Sequence, residues 1–371
     1  MTEKPAKTAS PPQDSLITNS FQTSDVDPLK TAMRNEGISF SSVEELRSGG
    51  VKIEFGPFAQ SKQLVQNLRG QFEILPELVS KFGEKSAFQI VNHTLFELDR
   101  QQAGCTHSEI NELKNFFREL ILPCTLQSDF CRYVYEKPRG YAGDFFAMEL
   151  IWKGSVLGGQ FRYSGTSEMG KLINAFAIDS ANCRANVERV FRLSQEIANG
   201  HYLNIVSIGC GSSIELDLAL TINPSLNFRI WLLDQDSDAL QLSVEKLNRL
   251  NHRCDVTALR GNVLKSIYGL GKQRFDLIYS TGMFDYFNLK TTQKIVTKLW
   301  ESVSPAGKML ITNAHPQNPT RLFMEFGGDW YLEYKDMNQM MSFLSDREDL
   351  AHVSLVKDWN SVYQYISFIK K

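Results

Sequence analysis

Between residues 58 and 199 apolar residues recur mostly three and four positions apart; beyond 200 they gather into short continuous runs. The first spacing is that of amphipathic helices, the second that of strands buried on both faces. FAQSKQLVQNLRGQFEILPELVSKF (58–82) predicts helix with one break at Pro76, because proline removes a donor and clashes inside a helix. SEINELKNFFRELILPC (108–124) opens on Ser108 with Glu109 and Glu112, acids suited to the positive end of a helix. Residues 167–199 read as one further helix, stopped by Gly200. After 200, LNIVSIG, FRIWLLD, RFDLIYS, KMLITNA and VYQYISFIKK predict strands, with the helices SDALQLSVEKLNRL and TTQKIVTKLWESV between them. Strands alternating with helices imply a parallel sheet covered on both faces. The expected fold class is α/β with a helical N-terminal region. Residues 1–28, rich in Ser, Thr, Pro, Gln and Asp, predict a disordered tail. Residues 29–200 predict a helical cap or lid domain, and 201–371 a ligand-binding α/β domain.

Composition acts by exclusion. The chain has 371 residues, with Lys+Arg 40 against Asp+Glu 42, a net charge of -2. Binding nucleic acid without regard to sequence needs clustered positive charge, so no nucleic-acid partner is expected. No apolar run approaches the length of a membrane span. MTEKPAKTASPPQDS at the start has no apolar core, so no secretory signal is expected. Cysteines 105, 124, 131, 183, 210 and 254 form no CxxC pair, which fits a reducing, cytoplasmic setting. No His/Cys/Asp cluster has metal-ligand spacing, so no metal is expected. Oligomeric state leaves no signature in the sequence.

The sharpest signal is NIVSIGCGSSIE (204–215): a buried strand runs into Gly209-Cys210-Gly211 and then into a helix. Glycines there let the backbone turn tightly and approach a ligand. A dinucleotide fingerprint wants a third glycine at 214, where this chain has Ile, so a pyrophosphate cradle is disfavoured. The next strand ends in Asp234, an acid placed to accept from both hydroxyls of a ribose.

VSIGCGSSIELD, WLLDQD, GNV and FDLIYSTGMFDYF together resemble the class I S-adenosylmethionine-dependent methyltransferases over about residues 200–315. The resemblance implies a Rossmann-like methyltransferase sheet and S-adenosylmethionine as cofactor. It implies that Gly209 and Gly211 contact the amino-acid part of the ligand; Glu215 reads either as a residue that orients the cofactor or as a solvated first-turn acid. Asp234 then holds the ribose, Gln235 lies beside the adenine, Asn262 and Val263 meet the adenine edge, and Ser280 faces the sulfonium. PRGYAGDFFAMELIW (138–152) with YSTGMFDYF is more narrowly similar to bacterial proteins of 3-hydroxypalmitic acid methyl ester biosynthesis. That resemblance implies methylation of a small or lipid-like carboxylate. Methyltransferase-like proteins of natural-product pathways look similar, and some cyclise the cofactor to azetidine-2-carboxylate and methylthioadenosine. A non-catalytic nucleoside-binding module is a third reading, because fold alone does not fix function.

Methyl transfer to a good leaving group asks chiefly for alignment and exclusion of water, and aromatic faces attract a sulfonium. Tyr141 and Tyr286 are the leading aromatic candidates; Tyr135, Phe145, Phe146 and Phe284 are others. Arg139–Asp144 predicts a polar turn, read either as a helix cap by Asp144 or as a lid with Arg139 pairing a carboxylate. His315, after the fifth strand with Asn313, is a candidate general base or a structural histidine. Trp330 and Tyr331 either close the acceptor pocket or pack. Cys210 has no evident neighbouring base, and Asp236 and Asp238 read as helix-start acids.

Overall fold

The computed structural model describes residues 56–371 except 251–253, 271 and 346. The tail expected over 1–28 and the first part of the helical region lie outside the described residues. The helices begin with α1 (Pro57–Glu73), α2 (Leu75–Phe82), α3 (Glu84–Gln102) and α4 (His107–Thr125). Pro76 sits in the first turn of α2, where its missing N–H costs nothing. α4 starts earlier than Ser108. Thr106 caps it, in a reciprocal capping box with Glu109 that satisfies donors at both positions. Next come α5 (Asp129–Glu136), α6 (Phe145–Trp152), α7 (Gly159–Arg162), α8 (Glu168–Ile178) and α9 (Ala181–Asn199). The single helix expected over 167–199 is therefore two. The Ser180 hydroxyl accepts from the Cys183 N–H and starts a new helix inside the periodic pattern.

The α/β part runs β1 (Asn204–Ile208), α10 (Ile214–Ile222), β2 (Arg229–Asp234), α11 (Ser237–Leu250), β3 (Asp255–Arg260), α12 (Val263–Gly269) and β4 (Phe275–Ser280). It continues through α13 (Leu289–Trp300), β5 (Val303–Ala314), α14 (Arg321–Gly327), α15 (Met337–Met341), β6 (Leu350–Lys357) and β7 (Tyr363–Lys370). The sheet order is β3-β2-β1-β4-β5-β7-β6. Strands β1 to β5 pair in parallel, but β7 is antiparallel to both β5 and β6. This corrects the all-parallel expectation. β6 and β7 are joined only by residues 358–362, a link too short for a parallel crossover.

Alternate strand residues feed opposite faces of the sheet. Val206 and Ile278 enter one apolar core with Phe275, Trp300 and Phe368, while Ile205 and Leu277 enter the other with Leu216 and Leu232. The helical region has a third core around Val65, Phe72, Phe88 and Phe117. Leu322 and Phe326 of α14 belong to it, and Phe326 meets Phe117 edge-on at 5.7 Å. Residue 200 is thus not a boundary between cores: a helix from the C-terminal half completes the helical layer. Among the described residues no helix is long and apolar enough to cross a membrane.

Candidate active site

The turn after β1 is built on left-handed backbone. Gly209 has φ +65° and Gly211 +54°, values that favour glycine. A Cβ on Gly209 would also stand 3.0 Å from Met283 Cβ. The turn is clamped from β2. Asp234 Oδ2 accepts from Gly211 N–H and Oδ1 from Asp236 N–H, both at 2.9 Å. Burial pushes the Asp234 carboxyl up, and these backbone donors oppose it.

Around this clamp lies a cavity of about 450 Å³ at the C-terminal ends of β1, β2 and β4. Gly209, Gly211, Glu215, Asp234, Gln235, Asn262 and Val263 all line it. Glu215 is buried, with its Oε1 accepting from Tyr279 Oη at 2.9 Å. Asn262 also caps α12 through Leu264 N–H. Ser280 does not line the cavity. Its hydroxyl is buried and donates to Ile208 O at 2.8 Å, and Thr281, Gly282 and Met283 form that wall instead. The strand end thus points its side chain into the sheet, one residue short of the wall.

Tyr141, Gly143, Phe145 and Met148 of the 138–152 segment line the same cavity. Arg139 Nη1 donates to Asp236 Oδ2 and Nη2 to Asp238 Oδ2, each at 2.7 Å, and its guanidinium lies 4.5 Å from the Phe145 ring centroid. Asp236 is at the same time a helix-start acid, accepting from Asp238 N–H. Asp144 caps α6 through Ala147 N–H at 2.8 Å and accepts from Tyr133 Oη. Glu149 of α6 ties this segment to the glycine turn, accepting from Ser212 Oγ at 2.6 Å and Lys246 Nζ at 2.5 Å. Burial pushes the Glu149 carboxyl up, but Lys246 and Ser212 outweigh it and hold the group below its ordinary value.

Tyr141 and Tyr286 both line the cavity and meet edge-to-face at 5.6 Å. Trp330 joins them, its Nε1 donating to Tyr286 Oη at 3.2 Å. Gly143 has no room for a side chain: its Cβ would stand 2.4 Å from Tyr286 Oη and 2.6 Å from Trp330 Cζ2. The loop carrying Trp330 is anchored by Asp329, which accepts from Arg118 and Lys137 at 2.5 Å. Phe145 lines the cavity; Tyr135 and Phe146 do not, and Phe284 is core. Tyr331 is exposed beneath Lys114, 4.6 Å from the ring centroid.

His315 lies outside the cavity lining, and its Nδ1 accepts from Gln317 N–H at 3.1 Å, which fits the structural one of its two readings. Asn313 is also structural, donating to Ala314 O and Glu333 O. Cys210 is buried, which pushes its thiol well up and away from a reactive thiolate. Among the cavity residues that escaped the sequence reading are three polar ones: Asn186 and Arg189 of α9, and Asp285. Asp285 is 2% exposed, its Oδ1 accepts from Ala314 N–H at 2.7 Å, and burial raises its carboxyl to about 6.

No family model matches the chain. No curated protein matches it either. Among solved structures it is similar to the N-methyltransferase NodS from Bradyrhizobium japonicum WM9 in complex with S-adenosyl-L-homocysteine: 13% identity, 52% of this chain, 89% of that one, TM-score 0.38. Magnesium protoporphyrin IX methyltransferase from Synechocystis PCC 6803, with bound S-adenosylhomocysteine, aligns at 11% identity over 62% of this chain and 100% of its own, TM-score 0.41. An O-methyltransferase family protein from Burkholderia thailandensis aligns at 14% over 80% and 98%, TM-score 0.43. These likenesses are distant. The chain's own strand order, with β7 reversed between β5 and β6, makes it a Rossmann-like α/β fold.

Proposed function

We propose that the chain is an S-adenosylmethionine-dependent methyltransferase acting on a small or lipid-like carboxylate. The observation that carries the reading is one cavity joining the glycine turn, Asp234 and Asn262 at successive strand ends beneath an aromatic lid. Each Asp234 oxygen already accepts one backbone N–H and keeps a free lone pair for a ribose hydroxyl. Gln235, Asn262 and Val263 flank the place of the base, and Gly209 and Gly211 that of the amino-acid end.

S-adenosylmethionine supplies a methyl group on a sulfonium, whose displacement leaves a neutral thioether. The chain's part is to attract the positive charge, align the acceptor and keep water out. Glu215 and Asp285 bring buried negative charge to the wall, and Tyr141 and Tyr286 bring aromatic faces at about 0.5–2 kcal/mol each. A carboxylate acceptor has no proton to lose, so a site without a histidine base suits it.

The test is incubation with S-adenosylmethionine carrying a deuterated methyl, together with short and long carboxylic acids, followed by mass spectrometry. Labelled methyl ester and S-adenosylhomocysteine are expected. Methylthioadenosine would mean that the cofactor is cleaved or cyclised, and intact bound cofactor with every acid would mean a binding module; either result overturns the reading.

A further inference from the structure

Arg189 is a buried cation that forms no ion pair among the described residues. It is 8% exposed, on α9, facing the cavity. Its Nη1 has no hydrogen-bond partner; its Nη2 meets Met148 Sδ at 3.7 Å, and the Tyr363 hydroxyl lies nearby. The guanidinium carbon lies 4.7 Å from the Tyr363 ring centroid, a face contact that leaves its N–H edge free. Asp285 and Glu215 favour its charge through space without an ion pair, with Asp285 Oδ1 accepting from Ala314 N–H and Glu215 Oε1 from Tyr279 Oη. A buried charge in that condition is costly unless a ligand completes it. Nη1 also reaches the strand-end wall, since a Cβ on Gly282 would stand 3.2 Å from it. One turn back on the same face, Asn186 is 3% exposed and its Oδ1 has no partner. An orphan donor of positive charge beside an orphan acceptor matches a carboxylate with an ammonium next to it.

We propose that Arg189, assisted by Asn186, is the carboxylate-binding group of the cavity. The inference rests on the nucleoside reading above. Two molecules of that reaction carry a carboxylate: the cofactor, at its amino-acid end beside an ammonium, and the acceptor. The guanidinium fork holds either by paired charge-assisted hydrogen bonds.

The experiment is calorimetry on the full chain with S-adenosylhomocysteine and with methylthioadenosine, which lacks the amino-acid end, in wild type and Arg189→Met. If the cofactor's carboxylate is the ligand, Arg189→Met weakens S-adenosylhomocysteine by about tenfold or more and leaves methylthioadenosine unchanged. If the acceptor's is, both nucleosides bind as in wild type. Hexanoate then raises the melting point of the S-adenosylhomocysteine-saturated wild type but not of the variant. Wild-type behaviour of Arg189→Met in both arms overturns the proposal. Because the readout is a ratio of two ligands, partial destabilisation does not blur it. Arg189→Lys, which keeps the charge without the fork, carries the same two arms if the Met variant does not fold; a deficit in one arm is expected, and wild-type behaviour in both overturns the proposal. Failure of the wild type to bind either nucleoside has its own signature: it overturns the nucleoside reading, and this proposal with it.

Discussion

Replacing Asp234 by Asn tests the clamp and the ribose site together. The side chain keeps its size but loses its charge and one acceptor. In the wild type both oxygens accept backbone N–H groups at 2.9 Å, one from Gly211 and one from Asp236. An amide presents NH₂ to one of these donors, so one contact becomes donor against donor and leaves a part-buried N–H unsatisfied. That costs about 1–3 kcal/mol, drawn from the stability of the glycine turn. The ribose would lose in addition a hydrogen bond to a charged group, worth about 1.5–3 kcal/mol. Nucleoside affinity should therefore fall at least about tenfold, with roughly 1.4 kcal/mol per tenfold. Calorimetry with S-adenosylhomocysteine reads the affinity, and urea unfolding of the free protein reads the turn. Asp234→Ala, which removes both acceptors, should bind no better than Asn. Wild-type affinity in Asp234→Asn would refute the placement of the ribose.

Three further outcomes are expected. Tyr141→Ala should reduce the preference for S-adenosylmethionine over S-adenosylhomocysteine, which lacks the sulfonium charge, by up to about 30-fold, the equivalent of 2 kcal/mol, while Tyr141→Phe keeps it; equal ratios in wild type and Ala would remove the ring from the sulfonium. Gly143→Ala places a methyl against Tyr286 and Trp330 and should cost about 1–3 kcal/mol by overpacking, with a lower melting point and weaker nucleoside binding; an unchanged melting point would contradict that packing. Asp285 has a native carboxyl raised from 3.8 to about 6, so the native state favours its protonated form. Stability from this group is full below pH 3.8 and is lost as pH rises through about 6, on the order of 3 kcal/mol in all. Urea unfolding at the two ends of that window should find Asp285→Asn spared the loss; parallel pH profiles would refute it.

What was legible in the sequence is what is local. A buried strand, a glycine turn needing positive φ and an acid at the next strand end all announce themselves within a few residues, and the cavity is assembled from them. β3 and β6 escaped a strand reading because they are the sheet's edges, where half-exposed residues dilute the apolar run. The break at Ser180 hid within continuous helical spacing, since a cap needs only one hydroxyl. Arg189 and Asn186 were illegible for another reason. On an amphipathic helix polar residues read as the solvated face, and only the lid and β7 packing around α9 turn them inward. Gly143 reads as a turn glycine, but its necessity comes from Trp330, distant in the chain. His315 sat near a strand end in sequence and still missed the cavity, because Val362 O draws its backbone N–H toward the 358–362 turn.

The most direct test of the central claim is a crystal structure of the full chain with S-adenosylhomocysteine. The account predicts both ribose hydroxyls on the Asp234 carboxylate, the base between Gln235 and Asn262–Val263, and the sulfur beneath Tyr141 with the lid closed. A nucleoside bound anywhere else, or density with Asp234 facing only its own backbone donors, would contradict it.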